Sequence, residues 1–277
     1  MWHDPFVLPD LAYTRRGPEG AVPVVLLHGI GHRRQAWEPV IDRLAERYDV
    51  IAPDLSGFGQ SPAFAGEVVY SMDNACDHLL TQFEQWGISK PHVVGNSLGG
   101  AIALELGSRG LASSVTALSP AGFFGPLNRL QALIPLLLMR LLAFVTPKVV
   151  LRRLAETPLG RRIIGLPLYA HPERHDAEAT YGDSLALKHA TAFERTAAAA
   201  ITYRFDHQVP APVTVAWGTK DRLLPYAQAG TARARLPHAR HEPLPGAGHV
   251  PMADDPELVV RLIEQTIAEG QRPALAR

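Results

Sequence analysis

The sequence predicts an α/β fold, in which helices flank a mostly parallel β-sheet. Short apolar runs rich in β-branched residues recur along the chain, and the first of them spans 22–27. Segments with apolar residues at helical spacing lie between these runs, as in 35–47. Strand and helix patterns alternate through residues 1–120, which is typical of repeated βαβ units and therefore of parallel strands.

The elements follow in chain order from these patterns. After the strand at 22–27 and the helix at 35–47, a strand at 48–53 leads into a turn-rich stretch, 54–61. The first half is completed by a helix at 72–86, a strand at 92–94, a helix at 98–108 and a strand at 115–118. The alternation resumes with a strand at 213–217, a helix at 227–236, a segment at 241–244 and a final helix at 256–269.

The region between these halves, 123–207, has a different character. Its apolar stretches suit helices, prolines separate them, and no strand pattern of comparable strength occurs. We therefore predict a core domain of residues 1–122 and 208–277 with an inserted helical cap, 123–207. The most apolar part of the cap, 130–145, contains Pro135 and Arg140 and is shorter than the roughly 20 apolar residues that cross a bilayer, so we expect a buried helix rather than a membrane span.

The composition is that of an ordinary globular chain. Of the 277 residues 47% are hydrophobic and 19% charged, and 27 basic residues balance 27 acidic ones, so the whole-chain charge attracts neither nucleic acid nor anionic lipid. We expect a small-molecule partner and no nucleic acid. The single cysteine, Cys76, excludes an intramolecular disulfide, and the start lacks the pattern of a secretory signal, which predicts a cytoplasmic location. Monomer and dimer both stay open.

The strongest local motif is GNSLGG at 95–100, which stands between a strand pattern and a helix pattern. A tight strand–turn–helix connection of this kind presents a serine hydroxyl in a cleft and needs small residues two positions to either side of the serine. Gly95 and Gly99 meet that need. The motif therefore predicts that Ser97 is a nucleophile.

A general base has to take the proton of such a serine, and imidazole has a suitable pKa. Of the twelve histidines, His249 lies in a glycine-rich loop after the last strand pattern, where strands of an α/β sheet present groups at their carboxyl ends. Asp221 follows the strand at 213–217 at the same edge, so we predict that it orients the imidazole. Rival carboxylates precede that strand or lie near the start of the last helix: Asp206, Asp254 and Asp255.

An oxyanion that develops on the substrate needs preorganised donors, usually two backbone N–H groups. We expect one from Leu98, directly after the nucleophile, and one from the loop that follows the strand at 22–27. Ile30 is the best-placed residue of that loop, with Gly29 and Gly31 as alternatives. His28 is expected to brace the loop rather than to take part in the chemistry.

These motifs resemble the α/β-hydrolase superfamily, in its serine esterase/lipase-like or meta-cleavage-product-hydrolase-like branch with a helical cap. The resemblance spans about residues 22–269 and includes the turn DLSGFGQS at 54–61. It implies an eight-stranded, mostly parallel sheet, a cap inserted after the sixth strand, and no cofactor. Haloalkane dehalogenases and the related epoxide hydrolases carry aspartate at the elbow, so Ser97 disfavours both of those activities.

The expected activity is hydrolysis of carboxylic esters of small apolar molecules through an acyl-enzyme on Ser97. The same triad also serves C–C bond hydrolysis of meta-cleavage products and the hydrolysis of lactones or thioesters, and these alternatives stay open. A different class, a small-molecule receptor with little turnover on a hydrolase fold, stays open as well.

Substrate contacts are predicted for Gly29, Asn96, Phe123, Leu137 and Val250. Apolar cap residues either line an acyl or alcohol pocket or only pack the cap against the core, because an apolar helical stripe serves both purposes. The histidines at 171 and 175 have helical ligand spacing but no third ligand nearby, so no metal site is predicted.

Overall fold

The computed structural model describes residues 8–66, 68–125 and 128–272. Within them lies a seven-stranded sheet in the order β1-β3-β2-β4-β5-β6-β7, in which β1 is antiparallel to β3 and all other neighbours are parallel. The strands are β1 (Tyr13–Arg16), β2 (Pro23–Leu27), β3 (Asp49–Pro53), β4 (His92–Asn96), β5 (Ser114–Leu118), β6 (Val213–Gly218) and β7 (Arg240–Leu244).

Helices connect the strands and cover both faces of the sheet. The core helices are α1 (Glu38–Ala45), α2 (Met72–Gln85), α3 (Leu98–Ser108), α9 (Gln228–Arg235), α10 (Pro251–Asp254) and α11 (Pro256–Gly270). Between β5 and β6 lie α4 (Asn128–Val145), α5 (Lys148–Glu156), α6 (Pro158–Gly165), α7 (Ala177–His189) and α8 (Phe193–Thr202). Short 3₁₀ turns precede α1 at Arg34–Trp37 and α7 at Pro172–Arg174.

The sheet forms because its central strands are apolar on both faces. In β2, Val25 and Leu27 pack into the apolar layer that contains α2 and α3, whereas Val24 and Leu26 pack into the opposite layer with α1 and α11. Successive side chains of a strand point to opposite faces, so a strand buried on both sides has to be apolar throughout. The three-layer arrangement therefore follows directly from the sequence pattern.

The predicted fold class is confirmed, with a helical insertion in a mostly parallel sheet. Two details differ: the described residues form seven strands rather than eight, and the insertion follows the fifth strand rather than the sixth. Residues 1–7, Glu67, residues 126–127 and residues 273–277 of the predicted domains lie outside the described residues.

The edge strand β1 was not predicted because it has no apolar pattern. Its sequence is YTRR, and ion pairs hold it in place: Arg15 binds Asp49 with nitrogen–oxygen distances of 2.8 and 2.6 Å, and Arg16 binds Glu38 and Asp42 of α1. A polar strand of this kind is compatible only with a sheet edge, where one side faces water. Antiparallel pairing with β3 gives it that place.

The expectation of a buried helix at 130–145 is wrong. Leu130 and Ile134 of α4 are 64% and 61% exposed, so the helix carries apolar side chains on its outer side as well as toward the core. No single described helix is long and apolar enough to cross a bilayer. The pair Leu130–Val145 and Lys148–Glu156 passes the same test of length and composition only when taken together, and it is bent by 113°.

Two buried histidines make the stability of this fold depend on pH. Burial lowers the pKa of both His28 and His92 to about 4, so both are neutral in the folded chain. Their pKa in the unfolded chain is about 6.5, so only the unfolded chain takes up these protons as the pH falls below that value. The free energy of unfolding is therefore expected to drop from pH 6.5 toward pH 4, by about 1.4 kcal/mol per pH unit for each histidine.

Urea unfolding followed by tryptophan fluorescence at pH 7.5, 6.0 and 5.0 measures this slope. His92→Gln is expected to reduce the slope by the share of one histidine, because Gln binds no proton in either state. His238→Gln, at an exposed position, is the matched control. An unchanged slope in the His92 variant contradicts the prediction.

Candidate active site

Ser97 stands at the turn between β4 and α3 in a strained backbone conformation. Its φ is 57° and its ψ is −114°, a region that residues other than glycine rarely adopt. The turn is also crowded: a Cβ atom at Gly95 would lie 2.0 Å from the carbonyl oxygen of Gly99, and one at Gly99 would lie 2.1 Å from that of Leu27. Only glycine fits at these two positions, as the motif predicted.

The carboxylate of Asp221 and the imidazole of His249 form a buried hydrogen bond. Nδ1 of His249 lies 2.8 Å from Oδ2 of Asp221, and the other carboxylate oxygen accepts the backbone N–H groups of Leu223 and Leu224 at 2.9 and 2.7 Å. The turn after β6 thus fixes the carboxylate, and the carboxylate fixes the ring. In this hydrogen bond Nδ1 carries the ring proton and donates to Asp221, so Nε2 is left as an acceptor.

Ser97 and His249 both line one cavity of the protein. Within the described part of the chain, no hydrogen bond joins Oγ of Ser97 to the imidazole. Hydrogen bonds of this type are often long outside the reacting complex and tighten within it. The hydroxyl of Ser97 and the imidazole of His249 therefore belong to the lining of one cavity.

The loop that carries His249 is held from two sides. From the core, Nδ2 of Asn96 donates to the carbonyl of His249 at 2.8 Å and to that of Leu118 at 3.1 Å. From the inserted region, the carbonyl of Leu168 accepts the N–H groups of His249 and Val250 at 2.7 and 3.1 Å. These bonds leave the imidazole little freedom to leave the cavity wall.

Asp254, which the sequence places near the start of the last helix as a rival carboxylate, is a positioning residue in the structure. Its carboxylate accepts the N–H of Gly248 at 2.8 Å and that of Ala170 at 3.0 Å, so it ties the loop before His249 to the inserted region. Its neighbour Asp255 does cap α11, through the N–H of Leu258. Two adjacent aspartates at a helix start look alike in sequence, and only the fold separates their roles.

The backbone N–H groups of Ile30 and Leu98 have no acceptor among the described residues, and neither have those of the alternatives Gly29 and Gly31. Leu98 begins α3, and Ile30 lines the same cavity as Ser97. His28 holds the loop that carries Ile30, which is the role expected for it. Its Nδ1 donates to the carbonyl of Gly29 at 2.8 Å, and its Nε2 accepts the N–H of Leu55 at 2.9 Å. These two bonds require a neutral ring, in line with the lowered pKa of His28.

The main cavity beside Ser97 has a volume of about 450 Å³ and is mostly apolar. A smaller cavity of about 60 Å³ also contacts Ser97 and is lined by Ile30, Leu98, Phe124 and Leu136. Ser97, Ile30 and Leu136 line both cavities, so the hydroxyl stands at their junction. An elongated apolar molecule can extend to both sides of the nucleophile.

A polar cluster at the edge of the main cavity was missed by the sequence analysis. Asp183 of α7 accepts a hydrogen bond from Nε of Arg33 at 2.8 Å and one from the hydroxyl of Tyr169 at 3.4 Å, and Nε2 of His32 lies 3.9 Å from its carboxylate. Burial and the nearby Asp183 raise the pKa of Tyr169. The position of His32 and Arg33 after β2 was the one sequence signal for this cluster. No sequence pattern indicates that Asp183 belongs to it.

The predicted substrate contacts divide into two groups. Gly29, Asn96 and Val250 line the main cavity, although the amide nitrogen of Asn96 is already used by backbone carbonyls. The predictions for Phe123 and Leu137 are wrong. Phe123 is fully buried against Phe205 and Trp217, and Leu137 is 43% exposed and outside the cavity lining, because the neighbouring residue Leu136 occupies the inner side of α4.

Comparison with known proteins supports a single family. Residues 24–262 match the Alpha/beta hydrolase family. The uncharacterized protein Rv2715 of Mycobacterium tuberculosis is 31% identical over 265 residues, which cover 89% of this chain and 75% of that protein. An epoxide hydrolase, EphH, of the same organism is 29% identical over 208 residues, covering 70% of this chain and 93% of that protein.

Among solved structures, a thermophilic esterase from Thermogutta terrifontis superposes with a TM-score of 0.69 at 24% identity. The superposition covers 95% of this chain and 94% of the esterase, so the two share a fold over nearly their whole length. The family match covers the residues of the elbow, of Asp221 and of His249 together. The chain therefore belongs to the alpha/beta hydrolase family.

Proposed function

We propose that this hydrolase cleaves carboxylic esters of apolar molecules through an acyl-enzyme on Ser97. The observation that carries the proposal is the buried 2.8 Å hydrogen bond between Asp221 and His249, a residue that lines the same cavity as the strained Ser97. An oriented imidazole beside a serine is what a neutral-pH nucleophile needs.

In the proposed first step, Oγ of Ser97 attacks the ester carbonyl carbon while Nε2 of His249 takes the hydroxyl proton. The carbonyl oxygen becomes an oxyanion and is stabilised by the N–H groups of Ile30 and Leu98. When the tetrahedral intermediate collapses, the bond to the alcohol oxygen breaks and the imidazolium returns its proton to that oxygen. Asp221 stabilises the imidazolium during its lifetime.

The acyl-enzyme is then hydrolysed by the same groups. A water molecule loses a proton to His249 and attacks the acyl carbon, and the second tetrahedral intermediate expels Oγ, which recovers the proton from the imidazolium. The products are a carboxylic acid, an alcohol and the free enzyme.

The nature of the cavities supports an apolar substrate. Both the 450 Å³ and the 60 Å³ cavities are lined mainly by aliphatic side chains, so a substrate gains most of its affinity from apolar contacts. The epoxide hydrolase relative does not change this proposal, because the family resemblance implies an aspartate at the elbow for that activity and this chain has Ser97.

Ser97→Ala is expected to lower kcat for p-nitrophenyl butyrate by about a thousandfold or more, because no other group can form the acyl-enzyme. Steady-state hydrolysis at pH 7.5 measures the loss, and labelling with a fluorophosphonate probe reports the nucleophile directly. Ser108→Ala, at the opposite end of α3, is the matched control and is expected to retain the activity of the parent. Undiminished hydrolysis by the Ser97 variant contradicts the proposal.

Assaying the parent enzyme with a vinylogous diketone beside the ester, together with the probe, separates two of the alternatives: a C–C bond hydrolase and a receptor. A C–C bond hydrolase turns over a vinylogous diketone faster than an ester, whereas the proposed esterase has the opposite preference. A receptor binds the probe and shows a single turnover at most. Either of these outcomes for the parent enzyme would replace the ester proposal, while the role of Ser97 is judged by its own variant.

Asp221→Asn is expected to lower kcat by about a thousandfold to ten-thousandfold, because the amide no longer stabilises the imidazolium or the correct tautomer. The turn itself should survive, since the side-chain oxygen can still accept the N–H groups of Leu223 and Leu224. Asp206→Asn removes a rival carboxylate that pairs with Arg204 and serves as the control. Equal activity of the two variants would refute the assignment of Asp221.

A further inference from the structure

The outer surface of the inserted helices is apolar where a surface helix is usually polar. On α4, Leu130, Ile134, Leu137, Leu141 and Val145 recur at steps of three or four residues, and each is between 43% and 64% exposed. This spacing places them on one side of the helix. The opposite side of α4 faces the core and the cavities, so the helix is apolar all round although only one side is covered.

The following helices extend this surface. On α6 and at its end, Leu159, Ile163 and Leu166 follow at i, i+4 and i+7 and are 70%, 64% and 40% exposed. On α5, Val149 and Val150 are 59% and 41% exposed. We call the exposed side chains of α4, α5 and α6 the outer cap face. An exposed apolar surface of this kind marks an interaction site.

The charge of this region limits what it can bind. Residues 130–165 contain six arginines and lysines and a single glutamate, a net charge of +5 in a chain whose formal net charge is 0. Lys148, Arg153 and Arg162 are exposed and have no ion-pair partner in the described ranges. Arg162 shares one side of α6 with Leu159 and Ile163, so cationic and apolar groups are presented together.

The main cavity opens onto the same face. Leu138, Leu142 and Ile163 line the cavity that contains Ser97, yet they are 52%, 53% and 64% exposed. These three side chains therefore form part of the cavity wall and part of the outer cap face. A molecule bound against this face has direct access to the cavity.

We propose that the outer cap face binds the surface of an anionic phospholipid bilayer, with α4 lying in the plane of the interface. Apolar side chains enter the acyl boundary, and unpaired cations bind the anionic headgroups. A second copy of this chain is a less suitable occupant, because pairing two such faces would bring together the exposed cations Lys148, Arg153 and Arg162 of both copies.

The helices are arranged to lie on a bilayer rather than to cross it. α4 and α5 are bent by 113°, and Leu151 and Ala155 of α5 are buried against the rest of the protein. In the middle of α4, Arg140 binds Glu194 and the carbonyl groups of Leu187, Lys188 and Ala190. These bonds hold the C-terminal half of α4 against α7 and α8.

Vesicle flotation tests this proposal without reference to catalysis. The full chain with Ser97→Ala, which prevents turnover of the lipids, is mixed with phosphatidylcholine vesicles with or without 30% phosphatidylglycerol, and the bound fraction is measured. Binding is expected with phosphatidylglycerol, and it should weaken as ionic strength rises. Arg153→Gln/Arg162→Gln is expected to weaken it about 25-fold, because each cation near an anionic surface contributes about fivefold.

Matched variants separate the outer cap face from general surface effects. Ile134→Gln/Leu141→Gln removes two exposed apolar side chains that do not line a cavity, and Val69→Gln/Leu80→Gln removes two elsewhere. Arg233→Gln/Arg261→Gln is the charge control, at exposed positions outside the cap. The cap pairs should lose vesicle binding, and the control pairs should keep it.

Three outcomes overturn the proposal: a parent protein that floats with neither vesicle, cap variants that bind as well as the controls, or equal binding with and without phosphatidylglycerol. Light scattering over a range of protein concentrations examines the second-copy alternative. A dimer that Ile134→Gln/Leu141→Gln dissociates, in the absence of vesicle binding, assigns the face to self-association instead. Circular dichroism of each variant shows whether its helices are intact.

Discussion

The close approach of three backbone segments determines the rest of this structure. At Gly95 and Gly99 the end of β4, the start of α3 and the end of β2 come so near one another that no side chain fits between them. This contact forces the backbone of Ser97 into its strained conformation and turns the hydroxyl into the cavity. It also brings the loop with Ile30 close to Leu98, so both residues line the small cavity at Ser97.

The parallel strands then supply the remaining groups. Because β4, β6 and β7 run in the same direction, the residues that follow them meet at one edge of the sheet. Asp221 follows β6 and His249 follows β7, which explains how residues so distant in the chain form a hydrogen bond. This is why the candidate site could be predicted from sequence: glycine-containing turns that follow successive strand patterns indicate both the sheet and the edge at which its strands end.

What escaped prediction depended on information that single-sequence patterns do not contain. The edge strand β1 is held by ion pairs of Arg15 and Arg16, which leave no apolar signature. The count of eight strands came from the family resemblance and not from the residues. The choice between Leu136 and Leu137 as cavity residues depends on the rotation of α4, and a helix that is apolar all round gives no indication of its rotation. The net charge of the whole chain likewise concealed the basic character of the inserted region, because a value of 0 averages a basic segment against an acidic remainder.

The attachment of the His249 loop to Leu168 has a further consequence for how molecules reach Ser97. If the inserted helices swung away as a rigid lid, the hydrogen bonds from His249 and Val250 to the carbonyl of Leu168 would break and the imidazole would lose part of its support. A substrate that enters between Leu138, Leu142 and Ile163 leaves those bonds intact, so the imidazole keeps its support while substrates enter and products leave.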